Sequence, residues 1–450
     1  MEDVGSGWAA LAAGLAGSVV LPSTPGYDAA RRAADPRFHH LRPRAVVRCA
    51  GPADVAETLA FARRVRMPAV VRGGGHDFAG RSSTTGVVID TAPMDAVSVT
   101  GERARVGAGA RLGRVYDVLS RRGRTIPAGC GPSVGIAGLT LGGGLGVLGR
   151  CHGLTCDRLR AAEVVLADGR TVTCDEHRHG DLFWALRGGT GRFGAVTALS
   201  FETVPAPVMT SFRMTWPLRC AAPLLDAWQA WAPSAPDELA ASLHLIVPAD
   251  PAGAPVASIV GTMMGPPAVA TPWLDDVVAR VGVEPAHVEQ RQATHRETKR
   301  LLAAEGRECP GTYTFAKSGF FARPLPRAAV DALVLHLAGE RTSGQMRMLD
   351  FTPWGGAYNR VRPDATAFVH RDELFLLHHQ VVVDPRGSLA ARDWLRASAG
   401  LTAAWRSPGV YQNFPDPELI NPARAYFGAN LHRLRQVKAR YDPDGLFGSL

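Results

Sequence analysis

The sequence predicts an α+β fold in which a two-part α/β region precedes a second region built on an antiparallel sheet backed by helices. Strand-like apolar runs that end in glycine-rich loops alternate with helical patterns up to about Val204. Beyond the prolines at positions 205, 207 and 217, glycine-rich loops become rarer, while Trp, Phe, Tyr and Met increase. The chain has 450 residues, of which 46% are hydrophobic and 20% charged, enough for two or three domains. We place the boundaries at 1–204, 205–410 and 411–450.

A β-α-β pattern opens the first region. Residues 44–50 are typical of a strand, and Pro52 suits the first position of the helix that follows. Apolar residues then recur at helical spacing from Val55 to Val65. A strand restarts after Pro68, and another short strand covers 87–90, which matches the usual length of a β-α-β unit.

The strand after Pro68 ends in the most informative loop of the chain. Its residues are Arg72, Gly73, Gly74, Gly75 and His76, with Gly80 four positions later. Consecutive glycines can direct several backbone N–H groups at one point, and such a nest binds phosphate oxygens. Arg72 adds positive charge at its edge. Taken alone, the loop is equally compatible with a surface turn and an incidental histidine.

The next glycine pattern is interpreted as structural. Residues 103–109 predict a strand that leads into an amphipathic helix through Val115 and Leu119. The glycines at positions 107, 109 and 113 imitate a dinucleotide-binding fingerprint, but the third falls one place late.

Two further glycine-rich segments cover 129–146 and 186–196, and a hairpin pattern over 163–174 separates them. So many glycines beside apolar residues predict close approach of the backbone to something flat or phosphorylated.

The second region alternates predicted strands with predicted helices. We expect strands over 243–247, 367–370 and 374–383, and helices over 273–281 and 327–338. The final stretch, 425–447, is predicted to be helical and then to turn at Asp442.

Composition and charge exclude several functions. The formal net charge is +9, but the basic residues are scattered, which favours solvated faces over a nucleic-acid surface. We expect no membrane partner, because no uncharged apolar stretch is convincing as a span. The N-terminal residues lack the basic region that opens a secretory signal. The seven cysteines are spread without the spacing of a disulfide framework, which fits a reducing compartment, so we expect a cytoplasmic protein. Cysteines and histidines between 151 and 179 match no tetrahedral zinc spacing, so no metal is expected. The oligomeric state stays open.

Together, the glycine-rich segments and the C-terminal stretch resemble the berberine-bridge-enzyme-like group of FAD-linked oxidases. The matching segments are 70–80, 126–159, 181–196, 411–413 and 426–447. This resemblance implies a two-part PCMH-type FAD-binding domain, also described as the vanillyl-alcohol-oxidase type, followed by a substrate domain.

The resemblance also implies where FAD is held. His76 takes the place of the histidine that is joined covalently to the 8α-methyl group of the flavin, and Val134 matches a residue that leaves dioxygen room in family oxidases. The implied FAD-binding positions are Arg72, Gly73, Gly74, Gly75, His76, Gly80, Gly131, Val134, Gly135, Gly138, Gly142, Gly143, Gly144, Gly146, Val196, Tyr411 and Asn413.

Many members carry a second flavin link through a cysteine. Here Gly131 occupies that cysteine's place, and Cys130 lies one residue early. In extended backbone a shift of one residue turns the side chain to the other face. We therefore expect one covalent bond, through His76, and leave a link through Cys130 as the less favoured alternative.

The catalytic base departs from the family pattern. The usual tyrosine and glutamate positions hold Phe414 and Arg360. We expect a strand over 355–360 on which Tyr358 and Arg360 share one face, and we expect His378 and Gln380 to share a face of the strand over 374–383, since side chains alternate along a strand. The candidate catalytic residues are Tyr358, Arg360, His378, Gln380 and Tyr411. An arginine beside Tyr358 would lower the pKa of its phenol. Alternatively, Tyr358 only packs and Arg360 is a surface charge.

The function implied is that of an oxidase. A small-molecule substrate, a sugar or a natural product, loses a hydride and a proton, and dioxygen takes up the electrons as hydrogen peroxide. A dehydrogenase with little dioxygen reactivity is one alternative. A non-redox cyclase or flavin-holding binding protein is another, because both usual bases are missing.

Overall fold

The computed structural model describes residues 4–305 and 311–450. The first sheet has four strands in the order β1-β2-β4-β3. Its elements are α1 (Val4–Gly14), β1 (Ser18–Val20), α2 (Tyr27–Arg31), β2 (Ala45–Arg48), α3 (Pro52–Arg64), β3 (Ala69–Arg72) and β4 (Val87–Asp90). Strands β2, β4 and β3 are parallel, so the predicted β-α-β unit is present with β4 between its two strands.

Helix α3 begins as the sequence predicts. Pro52 occupies its first turn, where a missing N–H leaves no hydrogen bond unmade. The buried carboxylate of Asp54 accepts N–H groups of Ala16 (3.0 Å), Gly17 (2.9 Å) and Ala50 (2.7 Å). One acidic side chain in the first turn of α3 therefore holds two other segments, the residues before β1 and the residues after β2.

The second sheet is antiparallel, with strands in the order β5-β6-β10-β8-β9, and a two-strand ribbon pairs β11 with β7. The elements are β5 (Val97–Thr100), β6 (Arg103–Gly107), α4 (Leu112–Ser120), β7 (Arg124–Thr125), α5 (Ile136–Leu141), α6 (Gly149–His152), β8 (Leu159–Val165), β9 (Thr171–Cys174), α7 (Gly180–Leu186), β10 (Ala195–Glu202) and β11 (Val204–Pro205). The strand-to-helix step at β6 and α4 and the β8–β9 hairpin agree with the sequence prediction.

The third sheet has seven antiparallel strands in the order β15-β12-β14-β13-β17-β18-β16. Its elements are β12 (Val208–Pro217), α8 (Ala221–Trp231), β13 (Leu239–Val247), β14 (Val256–Met264), α9 (Pro267–Val281), β15 (His287–Thr294), α10 (His295–Glu305), β16 (Tyr313–Phe321), α11 (Arg327–Ala338), β17 (Met346–Pro353), α12 (Ala357–Arg360), β18 (Phe375–Val383) and α13 (Ser388–Gly400). Alternate residues of β13 and β17 are buried against α8, α9, α11 and α13, which leaves the opposite face for polar side chains.

The C-terminal stretch returns to the second sheet. It contains α14 (Pro422–Phe427) and α15 (Leu431–Tyr441), separated by Gly428 at φ +48°. Phe427, Leu434 and Val437 share a core with α7. The predicted continuous helix is therefore two helices, and the predicted turn follows at Asp442.

Two strand predictions are wrong. Residues 367–370 form an extended loop in which the N–H of Phe368 donates to the carbonyl of Arg187 (3.0 Å), so this segment pairs with the end of α7 rather than with a strand. Residues 355–360 also leave the sheet: Gly355 and Gly356 have φ of +88° and +57° and turn the chain into α12.

Within residues 4–305 and 311–450, no helix is long and apolar enough to cross a membrane. The same residues contain no group of three or more His, Cys, Asp or Glu side chains placed to hold a metal ion. Met1, Glu2 and Asp3 lie outside the described residues.

We expect the protein to lose stability in acid through its buried histidines. Burial lowers the pKa of His379 to about 3 and that of His370 to about 4. The unfolded chain takes up these protons below about pH 6.5 while the folded chain stays neutral, so stability falls from pH 6.5 towards pH 4, by up to ~1.4 kcal/mol per pH unit for each group. Unfolding of His379→Gln measured against pH should show a shallower slope. The exposed His432→Gln serves as control, and equal slopes in His379→Gln and wild type would contradict the prediction.

Candidate active site

The first glycine-rich loop starts where β3 ends. The buried guanidinium of Arg72 donates to the carbonyl oxygens of Ala30 (2.5 Å) and Arg31 (3.1 Å) and pairs with Asp90 (3.3 Å). This differs from the expectation that its charge faces a phosphate, because protein oxygens already occupy the guanidinium. Arg72 therefore anchors the loop, and the backbone of the loop remains available to bind a ligand.

The backbones of the first two glycine-rich segments touch. A Cβ at Gly74 would lie 2.2 Å from the nitrogen of Gly135, and one at Gly135 would lie 2.3 Å from the nitrogen of Gly74. Only glycine fits at either position. In the part of the chain that the structure describes, the N–H groups of Gly74, Gly75 and His76 donate to no protein acceptor.

Three hydroxyl groups near these segments are also unsatisfied. The Oγ atoms of Ser82 and Ser83 and the Oγ1 of Thr190 are buried and meet no hydrogen-bond partner among the described residues. Buried polar atoms are seldom left unpaired, so such a group points to a polar ligand. A dinucleotide with phosphate and hydroxyl oxygens, such as FAD, fits this set of free donors.

His76 follows the free N–H groups and is half-buried. Burial, with a further contribution from Arg111, lowers the pKa of its imidazole below the ordinary value. The neutral ring keeps a lone pair at physiological pH, as a nucleophile requires. The next residue, Asp77, accepts the N–H of Ala79 and pairs with Arg81 (2.9 Å), which orders the loop beyond it.

The C-terminal Tyr-x-Asn motif holds the second glycine-rich segment. The phenol oxygen of Tyr411 accepts the N–H of Gly144 (3.0 Å), and Asn413 donates to the carbonyl of Leu139 (2.9 Å) and to the Tyr411 oxygen (3.0 Å). A Cβ at Gly142 would lie 1.9 Å from the Asn413 side chain. Burial raises the pKa of Tyr411 to about 12, so it acts here as a neutral clamp.

Several glycines that were expected to approach a cofactor approach the protein instead. A Cβ at Gly80 would lie 2.4 Å from the ring of Phe38, and one at Gly146 would lie 2.1 Å from the carbonyl oxygen of Ala128. Gly138, in contrast, has no described atom within 4 Å of its Cβ position. Part of the glycine pattern is therefore explained by packing within the protein.

The apolar positions expected at the cofactor lie in or beside the core. Val196 is buried in β10 among the core residues of the second sheet, and Val134 packs partly against the same core. Gly131 adjoins Val134, whose Cγ2 would be 2.9 Å from a Cβ there. The neighbouring Cys130 directs its sulfur at Nζ of Lys299 (3.8 Å).

A cavity of about 480 Å³ lies between the first glycine-rich loop and the edge of the seven-stranded sheet. Its lining comes from the loops around residues 37–40 and 78–79, from β16, β18 and α13, and from residues 414–418. The lining residues include Phe78, Phe315, Lys317, His378, Gln380, Phe414, Asp416 and Glu418.

His378 is the titratable ring at the floor of this cavity. Its imidazole stacks parallel on Phe414 with 4.2 Å between centroids, and its Nδ1 lies 2.9 Å from the amide nitrogen of Gln380. His378 and Gln380 share a strand face, as predicted from the alternation along β18. Burial lowers the pKa of His378 to about 4, against the opposing charge of Asp350, so the ring is neutral at physiological pH.

Sequence reasoning missed the groups behind His378. In the sheet, His378 pairs with Asp350 of β17, which pairs with His244 of β13, and the His244 Nε2 lies 3.5 Å from an Asp350 oxygen. Burial alone would raise the pKa of Asp350, but His244 and His378 together lower it. The signal in the sequence was an aspartate between two apolar residues, Leu349 and Phe351, of a strand.

The structure does not bring Tyr358 and Arg360 together at the cavity. Both lie on α12 and outside the cavity lining. Tyr358 is buried and donates to the carbonyl of Gly146 (3.0 Å), whereas Arg360 is exposed and pairs with Asp237 (2.5 Å). Burial raises the pKa of Tyr358, the reverse of the expected effect of a neighbouring arginine.

Comparisons with known proteins identify the family of the chain. The model of an FAD binding domain matches residues 43–175, and the berberine and berberine-like model matches residues 410–449. The FAD-linked oxidoreductase YgaK of Bacillus subtilis is 33% identical, with 96% of each chain covered. Chitooligosaccharide oxidase of Gibberella zeae is 30% identical over 76% of this chain and 73% of its own. The structure of Physcomitrella patens BBE-like 1 superimposes with a TM-score of 0.87 at 28% identity, covering 97% and 96% of the two chains.

The fold and the site define a flavoprotein oxidoreductase with a PCMH-type FAD-binding fold. The chain belongs to the berberine-bridge-enzyme-like family of FAD-linked oxidases. This confirms the predicted family, the predicted fold class and the prediction of an FAD-linked enzyme.

Replacing the hydroxyl of Tyr358 tests its revised role. Tyr358→Phe leaves the Gly146 carbonyl without its donor, and we expect a loss of about 1 kcal/mol in the free energy of unfolding. Stopped-flow reduction of the flavin should keep its wild-type rate, because the phenol neither ionises nor lines the cavity. A large fall in that rate at unchanged stability would return Tyr358 to the catalytic residues.

Proposed function

We propose that this enzyme is an oxidase that converts a hydroxyl group of a sugar, or of a glycosylated natural product, into a carbonyl group with release of hydrogen peroxide. The observation that carries the proposal is the buried, neutral His378 on the floor of the cavity beside the FAD-binding loops. Relatives named chitooligosaccharide oxidase and glucooligosaccharide oxidase, 30% and 29% identical, support a carbohydrate substrate.

FAD would be held by the glycine-rich segments, with the free N–H groups of Gly74 and Gly75 directed at its phosphates. His76 is the residue we assign to a covalent link, since its ring is neutral and follows the free donors. When bound, FAD supplies a two-electron acceptor that takes a hydride from the substrate carbon and is reoxidised by dioxygen.

His378 is assigned as the base that takes the hydroxyl proton of the substrate. Phe414, which stands at the usual tyrosine position, cannot ionise, and its ring supports the imidazole by stacking. As placed, the Gln380 amide nitrogen donates to Nδ1, so the neutral ring carries its proton on Nε2. Rotation of the amide by half a turn would put its oxygen at Nδ1 and free the lone pair of Nε2 for the substrate. The Asp350 carboxylate stays ionised against the effect of burial because His244 and a hydrogen bond from the hydroxyl of Thr352 lower its pKa, and it stabilises the imidazolium that forms.

The rest of the cavity suits a polyhydroxylated ring. Phe78 and Phe414 offer flat apolar surface, and such surfaces pack well against ring C–H groups. Charged groups surround them: Lys317 pairs with Asp416 (2.8 Å) and Glu418 (2.9 Å). Hydroxyl groups can exchange hydrogen bonds with this cluster without leaving any of its charges unpaired.

A panel of mono- and oligosaccharides and glycosylated natural products, assayed for dioxygen consumption and peroxide release, tests the function. Once a substrate is known, the rate of flavin reduction in His378→Gln should be at least about 100-fold lower than in wild type, since general-base catalysis contributes 10²–10⁴-fold. The adjacent His379→Gln is the matched control, because His379 is equally buried but faces α13, where its Nδ1 lies 2.9 Å from the hydroxyl of Ser398. Equal rates in wild type and His378→Gln would remove His378 from the mechanism, and flavin reduction without peroxide would indicate a dehydrogenase.

Acid denaturation followed by intact mass tests the covalent link. We expect one flavin on the peptide that contains His76. His76→Ala should have the mass of the polypeptide without flavin, and Cys130→Ser should keep the flavin adduct unchanged. The reason is that the His76 ring follows the free N–H groups, whereas the sulfur of Cys130 points at Lys299. A flavin found on the Cys130 peptide would show that the one-residue argument is wrong.

A further inference from the structure

A thiol and an amine meet where the second glycine-rich segment contacts the seven-stranded sheet. Cys130 is half-buried in the loop after β7, and Lys299 is buried in α10 with 3% exposure. The Lys299 Nζ donates to the carbonyl of Ala128 (2.6 Å), lies 3.8 Å from the Cys130 sulfur and sits 5.3 Å from the ring centroid of Tyr116. Neither Cys130 nor Lys299 lines the cavity, so the proposed oxidation does not use them.

The surroundings of this pair are poor in compensating charge. Within the described ranges, no carboxylate forms an ion pair with Lys299. His295, one helical turn earlier, is buried and stacks edge-on against Tyr116. Its Nδ1 lies 3.2 Å from the hydroxyl of Thr125, and its Nε2 meets no partner in the described chain.

This setting favours an uncharged amine. Burial lowers the pKa of Lys299 below its ordinary value, against an opposing effect of Cys130, and burial lowers the pKa of His295 to about 3. A buried lysine without a carboxylate costs stability and is retained in proteins mostly where its amine reacts. The amine here faces one reactive group, the sulfur of Cys130.

We propose that Cys130 and Lys299 are a peroxide-dependent modification site, at which a covalent S–N bond joins the two side chains. Hydrogen peroxide oxidises the thiol to a sulfenic acid and is itself reduced to water. The Lys299 amine then attacks this sulfur, the S–O bond breaks, and hydroxide leaves with a proton from nitrogen as a second water. The pair thus loses two hydrogens in total, and a thiol reductant restores both groups.

The geometry suits each step. The half-exposed sulfur is open to peroxide, while the buried amine is the nucleophile nearest to the oxidised sulfur. The four-carbon stem of lysine can close the remaining distance by rotation, without movement of the backbone. The bond would join the loop after β7 to α10. Because α10 follows β15 directly, the bond would also connect the FAD-binding region to the seven-stranded sheet.

The proposal does not rest on the proposed function, because peroxide can be added to the resting holoenzyme with no substrate present. Flavin-loaded protein is titrated with hydrogen peroxide in thiol-free buffer, free thiols are blocked, and digested peptides are mapped by mass spectrometry. We expect the peptides of Cys130 and Lys299 to be joined with the loss of two hydrogens, and dithiothreitol to release them.

Two variants and one internal control sharpen the result. Lys299→Arg replaces the nucleophilic amine with a guanidinium, so Cys130 should accumulate instead as sulfenic acid, trapped by dimedone. Cys130→Ser should give no linked peptide. Cys151, which is also half-buried, meets no lysine amine in the described residues and should gain oxygen or stay unchanged.

Mapping of the wild-type protein alone can overturn the proposal, whatever the stability of the variants. Oxygen added to Cys130 without a link, an unmodified Cys130, or flavin attached to it would each do so. A disulfide also removes two hydrogens, but it would persist in Lys299→Arg and would join two cysteine peptides.

Discussion

The contact between the loop after β3 and the loop before α5 is the constraint on which the rest of the site depends. The backbones of Gly74 and Gly135 approach so closely that any side chain at either position would push the loops apart. Gly135 also bridges to Arg111, and the carbonyl of Val134 accepts the N–H of Leu112 at the start of α4. The position of His76 relative to α4 and α5 is therefore set by a contact between two glycines.

A four-residue stretch near the C-terminus connects this cradle to the substrate cavity. Tyr411 and Asn413 hold the second glycine-rich segment by hydrogen bonds, and Phe414 stacks on His378 in the seven-stranded sheet. Arg150 adds a second connection, since its buried guanidinium donates to the carbonyl oxygens of Pro233 (3.1 Å) and Ala235 (2.6 Å). The same few residues thus hold both the second glycine-rich segment and His378 in the cavity.

The sequence predicted what local periodicity and glycine spacing encode. Helix α11 has the predicted bounds, and the face shared by His378 and Gln380 follows from alternation along β18. The strand predicted at 355–360 failed because its first two residues, Gly355 and Gly356, adopt positive φ, which depends on tertiary packing. Asp350 was missed because it meets His378 only through the register of β17 against β18, and single-chain spacing carries no record of that register.

The substitution of phenylalanine for the usual tyrosine at position 414 makes physical sense only together with His378. A buried phenol keeps its proton, as the raised pKa of Tyr411 shows, whereas a buried imidazole loses its proton. The fall in the pKa of His378 from 6.5 to about 4 is equivalent to about 3 kcal/mol in favour of the neutral ring, so desolvation outweighs the attraction of Asp350 in the resting enzyme. Such a base is always unprotonated but has low proton affinity. Part of that affinity is restored when the proton arrives, because the new charge then faces the carboxylate of Asp350, its register partner on β17.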